Sequence, residues 1–343
     1  MNEKELLEKL WKKGKEFLGV KYPIISGAMT WISDHTLVSA VSEAGGFGVL
    51  AGGNSPAEWL AKEIDRVRSL TNKPFGVNLI VIAPNYKKHL EVVKEKKVDF
   101  IIFAGNFPRD KEIAQIKETG AKTIAFASNE TSAKRLISRG IDALILEGNE
   151  AGGHVGYVSL VVLLQQVLFK FRDTVPIFTA GGIATGEMAA HLLLAGASGI
   201  QMGTIFAVSK ESKAHPKFKE RYIKAKAREA VATPQFHQAL RVVPVRAIRN
   251  KGMDRFSELQ IELIEKIKRG EISQIEAQYA VEKFWVGALR RAVEEGDIET
   301  GSLMAGQSVG LVNKEMSVRE IIDYIIEGIL KELRHVKNMV CLD

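Results

Sequence analysis

The sequence is poor in cysteine, with Cys341 as its only one. A single cysteine excludes an intramolecular disulfide and a metal cluster built on several thiolates. Its position close to the end also argues against a catalytic thiol in the body of the chain. These features are typical of proteins in a reducing compartment, and we expect a cytoplasmic protein.

The sequence also lacks a recognisable secretory signal or membrane segment. Residues 1–8 do not contain the apolar core of a signal peptide. Residues 188–209 carry no Asp, Glu, Lys or Arg, but they include His191, Gln201 and several glycines. This composition predicts a buried helix, turn and strand rather than a span, and we expect no membrane partner.

Several motifs of well-known function classes are absent. There is no HExxH, Walker A or GxSxG sequence, and the histidines lack the spacing of a metal site, so we expect no metal. No block of like charge with interleaved aromatic residues indicates a nucleic-acid interface. The net charge of +7 suits an anionic substrate or an acidic carrier protein, although a solvated basic surface explains it more simply.

Eight short apolar runs alternate with helix-length segments in the first two thirds of the chain. Continuous apolar strands alternating with helices indicate a parallel sheet, and eight such units predict an α/β fold, the closed (β/α)8 TIM barrel. Gly120, Gly140 and Gly196 stand just before predicted strands, where glycine commonly ends a helix. The predicted strands are Tyr22–Ser26, Phe47–Ala51, Phe75–Leu79, Phe100–Phe103, Thr123–Ala127, Ala143–Glu147, Pro176–Ala180 and Gly199–Met202.

Three parts of the chain are predicted on this basis. Residues 1–19 form an N-terminal helix over Glu5–Phe17, and residues 20–210 form the barrel. Residues 211–343 form a helical addition beside the barrel mouth. Its predicted helices are Lys210–Arg228, Phe256–Arg269, Ser273–Glu295 and Val318–Val336.

The ends of the predicted strands carry the candidate binding residues, because TIM barrels place their working residues there. Ser26-Gly-Ala-Met29 is small enough for backbone amides to touch a planar ligand, and the Asn78 amide both donates and accepts. Glycines at the ends of strands seven and eight predict a site for a phosphate. This phosphate set is Gly181, Gly182, Gly203 and Thr204.

The most informative motif follows the sixth strand, in Glu147-Gly-Asn-Glu-Ala-Gly-Gly-His154. The imidazole of a histidine can exchange a proton, and when charged it can attract an anion, so His154 is the candidate catalytic residue. Glycines such as Gly152 let the backbone come close to a flat ligand. Glu147 is a candidate for binding a ligand hydroxyl or ring N–H, with a helix cap or a buried ion pair as the alternative.

These motifs resemble the nitronate monooxygenase family, also called the 2-nitropropane dioxygenase family, and equally its flavin-dependent enoyl-acyl-carrier-protein reductase branch. The resemblance implies an FMN-dependent barrel. It places Gly27, Ala28 and Met29 at the isoalloxazine ring, and Asn78, Glu147 and Gly152 against the flavin. The four residues of the phosphate set would hold the FMN phosphate, and His154 matches the family's active-site histidine.

The resemblance implies oxidation of alkyl nitronates by molecular oxygen, giving a carbonyl compound and nitrite. The main alternative is reduction of an enoyl thioester by NAD(P)H through FMN, with an acyl carrier protein as partner. Residues 304–307 favour the reductase branch, whereas Ile205 replaces an Arg that reductases usually carry. A second alternative is a non-redox barrel that binds a phosphorylated metabolite. A homodimer is a further expectation.

Overall fold

The fold is known from a computed structural model that describes residues 1–53, 55–237, 240 and 242–340. Cys341 lies outside these residues. Eight parallel strands close into a barrel in chain order, with the last pairing to the first, so the predicted TIM barrel is confirmed. The barrel strands are β1 (Ile24–Ser26), β2 (Phe47–Ala51), β3 (Phe75–Ile80), β4 (Phe100–Ala104), β5 (Lys122–Ala127), β6 (Ala143–Glu147), β8 (Ile177–Ala180) and β9 (Gly199–Met202).

The barrel strands are apolar along most of their length because both of their faces are covered. Side chains such as Phe47, Ile145 and Phe178 fill the barrel interior and are fully buried. A ring of helices covers the outside, and Asp34 and Asn129 cap two of them with side-chain hydrogen bonds. The predicted glycine helix ends are confirmed, since Gly120, Gly140 and Gly196 have φ values of 85°, 82° and 106°.

The helices have the following bounds. They are α1 (Glu3–Leu10), α2 (Lys12–Leu18), α3 (His35–Glu43), α4 (Ala57–Leu70), α5 (Tyr86–Glu95), α6 (Asp110–Lys117), α7 (Glu130–Ser138), α8 (Leu160–Leu163), α9 (Phe169–Phe171), α10 (Gly186–Leu194), α11 (Thr204–Ala207), α12 (Pro216–Lys224), α13 (Lys251–Lys268), α14 (Gln274–Arg290) and α15 (Val318–Val340). A π-helical turn, Leu164–Leu168, joins α8 to α9, and another, Arg291–Glu295, extends α14. Ala227–Glu229 and Gln307–Leu311 are 3-10 turns.

The N-terminal segment closes the bottom of the barrel. The prediction of one helix over Glu5–Phe17 was wrong, because the segment breaks at Trp11 into α1 and α2. The break lets α2 lie directly on the barrel, where a Cβ on Gly14 would be 1.8 Å from the Ser198 carbonyl oxygen. Phe17 then packs against Phe100 inside the barrel, with ring centroids 5.9 Å apart.

The residues between 216 and 312, here called the cap, lie over the barrel mouth. The cap has its own apolar core, in which Phe256 and Trp285 pack with ring centroids 4.3 Å apart. The sequence predicted only helices here, but the cap also contains β10 (Ala230–Ala232) and β11 (Val245–Ile248). These strands form an antiparallel sheet with β7 (Gly153–His154), which comes from the loop after β6.

The predicted helix over Lys210–Arg228 was too long. Only Pro216–Lys224 is α-helical, because Pro216 fixes the first turn and the His215 side chain accepts a hydrogen bond from the Lys217 amide there. After the cap the chain returns to the barrel, where α15 packs on α10, α3 and α1. No helix in the described part of the chain combines the length and the apolarity needed to cross a bilayer.

Candidate active site

A large cavity lies between the barrel mouth and the cap. Its volume is about 1450 Å³, and residues from the ends of most barrel strands and from the cap form its walls. We call the strand ends and the first residues after them the rim. All the candidate site residues that the sequence predicted line this cavity, namely Gly27, Ala28, Met29, Asn78, Glu147, Gly152, His154, Gly181, Gly182, Gly203 and Thr204.

The floor of the cavity is formed in part by the end of β1. The Gly27 amide donates to the Met202 carbonyl at 2.9 Å, which ties this turn to the end of β9. A Cβ on Gly27 would lie 3.2 Å from the Gln201 side chain. Gly27 is therefore small partly because Gln201, a neighbouring residue of the cavity wall, needs the space.

Asn78 and Glu147 place polar groups in the cavity at the ends of β3 and β6. The Asn78 carboxamide donates to the Ile102 carbonyl at 3.2 Å, and its oxygen has no hydrogen-bond partner among the described residues. The carboxyl group of Glu147 has neither a hydrogen bond nor an ion pair in the part of the chain that the structure describes. The buried ion pair considered above for Glu147 is therefore not formed.

Glu147 has an unusual protonation equilibrium. Its side chain is surrounded by protein apart from the cavity, and this burial raises its pKa to about 8. A carboxyl group with this pKa is mainly protonated at neutral pH, and a neutral carboxylic acid can donate a hydrogen bond to a ligand as well as accept one.

The ends of β8 and β9, which are the seventh and eighth strands of the barrel, lie side by side. Their backbone amides are available to a ligand. Gly181 and Gly182 have φ values of 96° and 73°, a conformation that side chains rarely adopt. The amides of Gly182, Gly203 and Thr204 donate to no acceptor within the described residues, although all three residues line the cavity. Unpaired backbone amides grouped in this way form a site for an anion.

His154 lies in the loop that follows β6, where this loop pairs with a strand of the cap. It belongs to β7, where it pairs with Val245 of β11. Its side chain is 45% exposed, and its Nε2 lies 3.4 Å from the Glu282 carboxylate on α14. His154 and Glu282 both line the cavity, so the imidazole reaches it with an acidic group of the cap beside it.

The glycines beside His154 are needed for the packing and the conformation of the protein's own backbone. A Cβ on Gly152 would lie 2.5 Å from the Ala305 carbonyl carbon, and Gly153 has a φ of 76°. Gly152 is therefore required by the packing of residues 304–307, which the sequence did not predict. The same segment is fixed by the Gly306 amide, which donates to the Thr204 hydroxyl at 3.2 Å.

The cap contributes residues that sequence reasoning missed. Glu282, Arg290 and Tyr279 on α14 line the cavity, and the Arg290 guanidinium lies 5.2 Å from the centre of the Trp31 ring. A helical pattern identifies the apolar face of α14 but does not show which remaining side chains face the cavity. Gln201 was more accessible to prediction, since it begins the Gln201-Met-Gly-Thr204 motif.

A cluster of possible metal ligands lies away from the cavity lining. Asp34, His35 and Glu63 offer ligand atoms within 4.8 Å of one another. Each already has a protein partner: Lys213 lies 2.6 Å from Asp34, and the His35 ring is 2.7 Å from Glu63. Since Asp34 also caps α3, we interpret this cluster as structural.

Comparison with known protein families shows to which family this chain belongs. The profile described as nitronate monooxygenase matches residues 12–88 and 80–328. The chain belongs to the nitronate monooxygenase family. Members of this family are oxidoreductases, and we describe the protein as an enzyme of that class.

Several individual proteins are similar to this chain over almost its whole length. FabK from Thermotoga maritima has 35% identity and a TM-score of 0.84, with 95% of this chain and 98% of that chain covered. The nitroalkane oxidase from Streptomyces ansochromogenes has 26% identity and a TM-score of 0.76, with 92% and 98% covered.

A relative from Mycobacterium tuberculosis is 30% identical, with 95% of this chain and 98% of the relative covered. It is named (3aS,4S,5R,7aS)-5-hydroxy-7a-methyl-1-oxo-octahydro-1H-indene-4-carboxyl-CoA dehydrogenase. The relatives of this chain are thus named for different activities.

Proposed function

We propose that this enzyme uses FMN to reduce an enoyl thioester with NAD(P)H. The observation that supports this proposal most is the size of the cavity. At about 1450 Å³ it exceeds the roughly 300–1,000 Å³ typical of sites for one small ligand. A cofactor and an extended substrate can therefore share it.

The outer part of the cavity is apolar. Tyr157, Ile275 and Tyr279 line it and are 74%, 62% and 58% exposed. Exposed apolar side chains grouped at the mouth of a cavity are typical of a site for an apolar ligand. An acyl chain fits this lining, whereas a small nitronate leaves most of it uncovered.

The residues of the rim fit FMN. The unpaired amides of Gly182, Gly203 and Thr204 suit its phosphate, and Asn78 and protonated Glu147 suit its polar edges. The small residues Gly27 and Ala28, with Met29, leave room for the ring. When bound, FMN supplies the hydride chemistry that protein side chains lack.

In this proposal His154 binds the substrate carbonyl and takes part in the proton transfer. Its imidazole reaches the cavity and can donate a hydrogen bond to the thioester oxygen, which favours the buildup of charge there. In the complete reaction the C=C bond gains a hydride that originates in NAD(P)H and a proton from the solvent, giving the saturated thioester and NAD(P)+. The Mycobacterium tuberculosis relative supports a thioester, since its name specifies a carboxyl-CoA compound.

Nitronate oxidation is the second candidate, and the family description and the similarity to the nitroalkane oxidase favour it. His154 then removes the acidic carbon proton of a nitroalkane or holds the nitronate anion. Molecular oxygen is the oxidant, and the products are a carbonyl compound and nitrite. The same rim residues hold FMN in this case.

One comparison separates the two candidates. Purified enzyme is mixed with propyl-2-nitronate under air while oxygen uptake is followed, and then with NAD(P)H and a crotonyl thioester while NAD(P)H oxidation is followed. We expect thioester-dependent NAD(P)H oxidation with little nitronate-dependent oxygen uptake. The reverse result favours nitronate oxidation, and a colourless protein that FMN does not reconstitute contradicts both candidates.

A further inference from the structure

Arg246 is a buried charged residue outside the sequence motifs, and it joins the cap to the loop that carries His154. It lies on β11 and is only 5% exposed. Burying a guanidinium costs free energy unless oxygen atoms accept its hydrogen bonds. Three such acceptors surround Arg246. The burial also lowers its pKa, and nearby Glu150 partly opposes this effect.

The guanidinium of Arg246 holds one end of the His154 loop by two hydrogen bonds. Its Nε donates to the Asn149 carbonyl oxygen at 3.0 Å and its Nη2 to Asn149 Oδ1 at 2.8 Å. Its Nη1 donates to the Ala230 carbonyl of β10 at 2.7 Å. One side chain thus connects the barrel rim to two strands of the cap.

Asn149 passes this constraint to the other end of the same loop. Its amide donates to the Val158 carbonyl at 2.8 Å, and its side chain donates to the Gly156 carbonyl. His154 lies between these anchor points. In addition, Arg246 is the register partner of Gly153, and Val245 is the partner of His154.

We propose that Arg246 is the positioning residue of His154, which it holds through Asn149 at the cavity wall. Arginine suits this role because its planar fork bonds two oxygens of one residue at once, which a lysine ammonium does not reproduce. The inference rests on the proposed function of His154 for its catalytic consequence. Its geometric part can be measured without turnover.

The geometric test measures the reactivity of His154 in the FMN-loaded enzyme. Diethyl pyrocarbonate modifies imidazoles, and mass spectrometry follows each histidine separately. Arg246→Met should release the loop and raise the modification rate of His154 severalfold. His191 is an internal control, because it is 54% exposed and also bound to a carboxylate, that of Glu332, at 2.9 Å. Its rate should stay constant.

The matched variant for this test is Arg249→Met, which removes the same charge from an exposed position just past β11. It should leave the reactivity of His154 unchanged. If Arg246→Met does not accumulate as folded protein, Asn149→Ala removes the Oδ1 acceptor and should raise the rate in the same direction. An unchanged His154 rate in the folded variant overturns the proposal.

The catalytic test uses a double-mutant cycle. Arg246→Met should lower kcat by roughly 10²-fold at normal FMN content, since small misplacements of a catalytic group cost about that much. His154→Ala combined with Arg246→Met should be no slower than His154→Ala alone. Multiplied losses overturn the positioning role. If the wild type turns over neither the thioester nor the nitronate, the proposed function fails, while the reactivity measurement still decides the geometric claim.

Discussion

The barrel rim and the cap form the two sides of one cavity, but they contribute different kinds of groups. The rim supplies unpaired amides, Asn78 and Glu147, all placed by strand ends whose geometry the barrel fixes. The cap supplies mainly side chains of α14, such as Tyr279 and Arg290, which are at least partly exposed. His154 lies where the two sides meet, on a rim loop that pairs with a cap strand.

This difference suggests a division of labour. Groups fixed by barrel strands suit the cofactor, which stays the same in every turnover, whereas side chains on a separate helical unit suit the substrate, which varies among relatives. Changes in the rim should therefore alter FMN binding or kcat. Changes in the cap side chains that line the cavity, which Arg246 does not, should alter KM and substrate choice.

The largest effect is expected where the two sides meet. His154→Ala should lower kcat by roughly 10²- to 10⁴-fold, the scale of losing an acid or base, while FMN content stays normal. Steady-state kinetics and flavin absorbance measure both quantities. His191→Ala is the control, because His191 lies on α10 and binds Glu332 away from the cavity. Unchanged turnover in His154→Ala would remove the histidine from the mechanism.

A change in the rim should release the cofactor. Gly203→Val places a side chain where the nearest protein atom, the Met29 sulfur, is 3.6 Å from the new Cβ, so the fold tolerates it. We expect the Kd for FMN to rise by roughly 10²-fold, since about 2.7 kcal/mol of contact is lost. Fluorescence titration with FMN measures the change.

Gly156→Val is the matched control for this rim prediction. Gly156 also lines the cavity, and a Cβ there would be 3.6 Å from the nearest atom, on Ser128. It should leave FMN affinity close to that of the wild type. Equal affinity losses in the two variants would show that the β8 and β9 ends hold no phosphate.

Glu147, a residue of the rim, should give the free energy of unfolding a pH dependence. Its pKa rises from 4.5 in the unfolded chain to about 8 in the fold, so the folded state binds the proton more tightly. Protonated Glu147 therefore stabilises the fold relative to the ionised form. This stabilisation is fully present below about pH 4.5 and is lost as the pH rises through about 8.

Glu147→Gln should abolish this loss, because the amide imitates the protonated acid. Relative to Glu147→Gln, the wild-type free energy of unfolding should fall by at most about 1.4 kcal/mol per pH unit, and by less where cavity water reaches the carboxyl. Denaturant unfolding of the FMN-free protein between about pH 5 and pH 8 measures it. Glu327→Gln, an exposed change on α15, should show no such trend.

The smallest effect is expected in the cap. Tyr279→Ala should raise KM for a long-chain thioester by roughly three- to tenfold, equivalent to about 1 kcal/mol of apolar contact, with kcat and FMN content unchanged. Tyr324→Ala, an exposed tyrosine on α15 outside the cavity, is the control. A loss of FMN in Tyr279→Ala would contradict the division between rim and cap.

The sequence predicts the rim far better than the cap, and the reason is physical. Each barrel strand is a short apolar run followed by a helix, so the pattern repeats and both Gly182 and Gly203 fall at strand ends. The cap sheet has no such signal, because β7 contains only Gly153 and His154 and exists through pairing with β11, about 90 residues later. The contacts of Glu282 and Arg246 likewise depend on this distant packing.

The most direct test of the central claim compares substrates of different length. With NAD(P)H as reductant, kcat/KM is measured for a crotonyl and a decenoyl thioester, and for propyl-2-nitronate with oxygen. If the apolar cavity receives an acyl chain, kcat/KM should be at least about tenfold higher for the decenoyl compound, well within the 0.8 kcal/mol available per buried methylene. Equal values for the two thioesters, with the nitronate as the better substrate, would contradict the account.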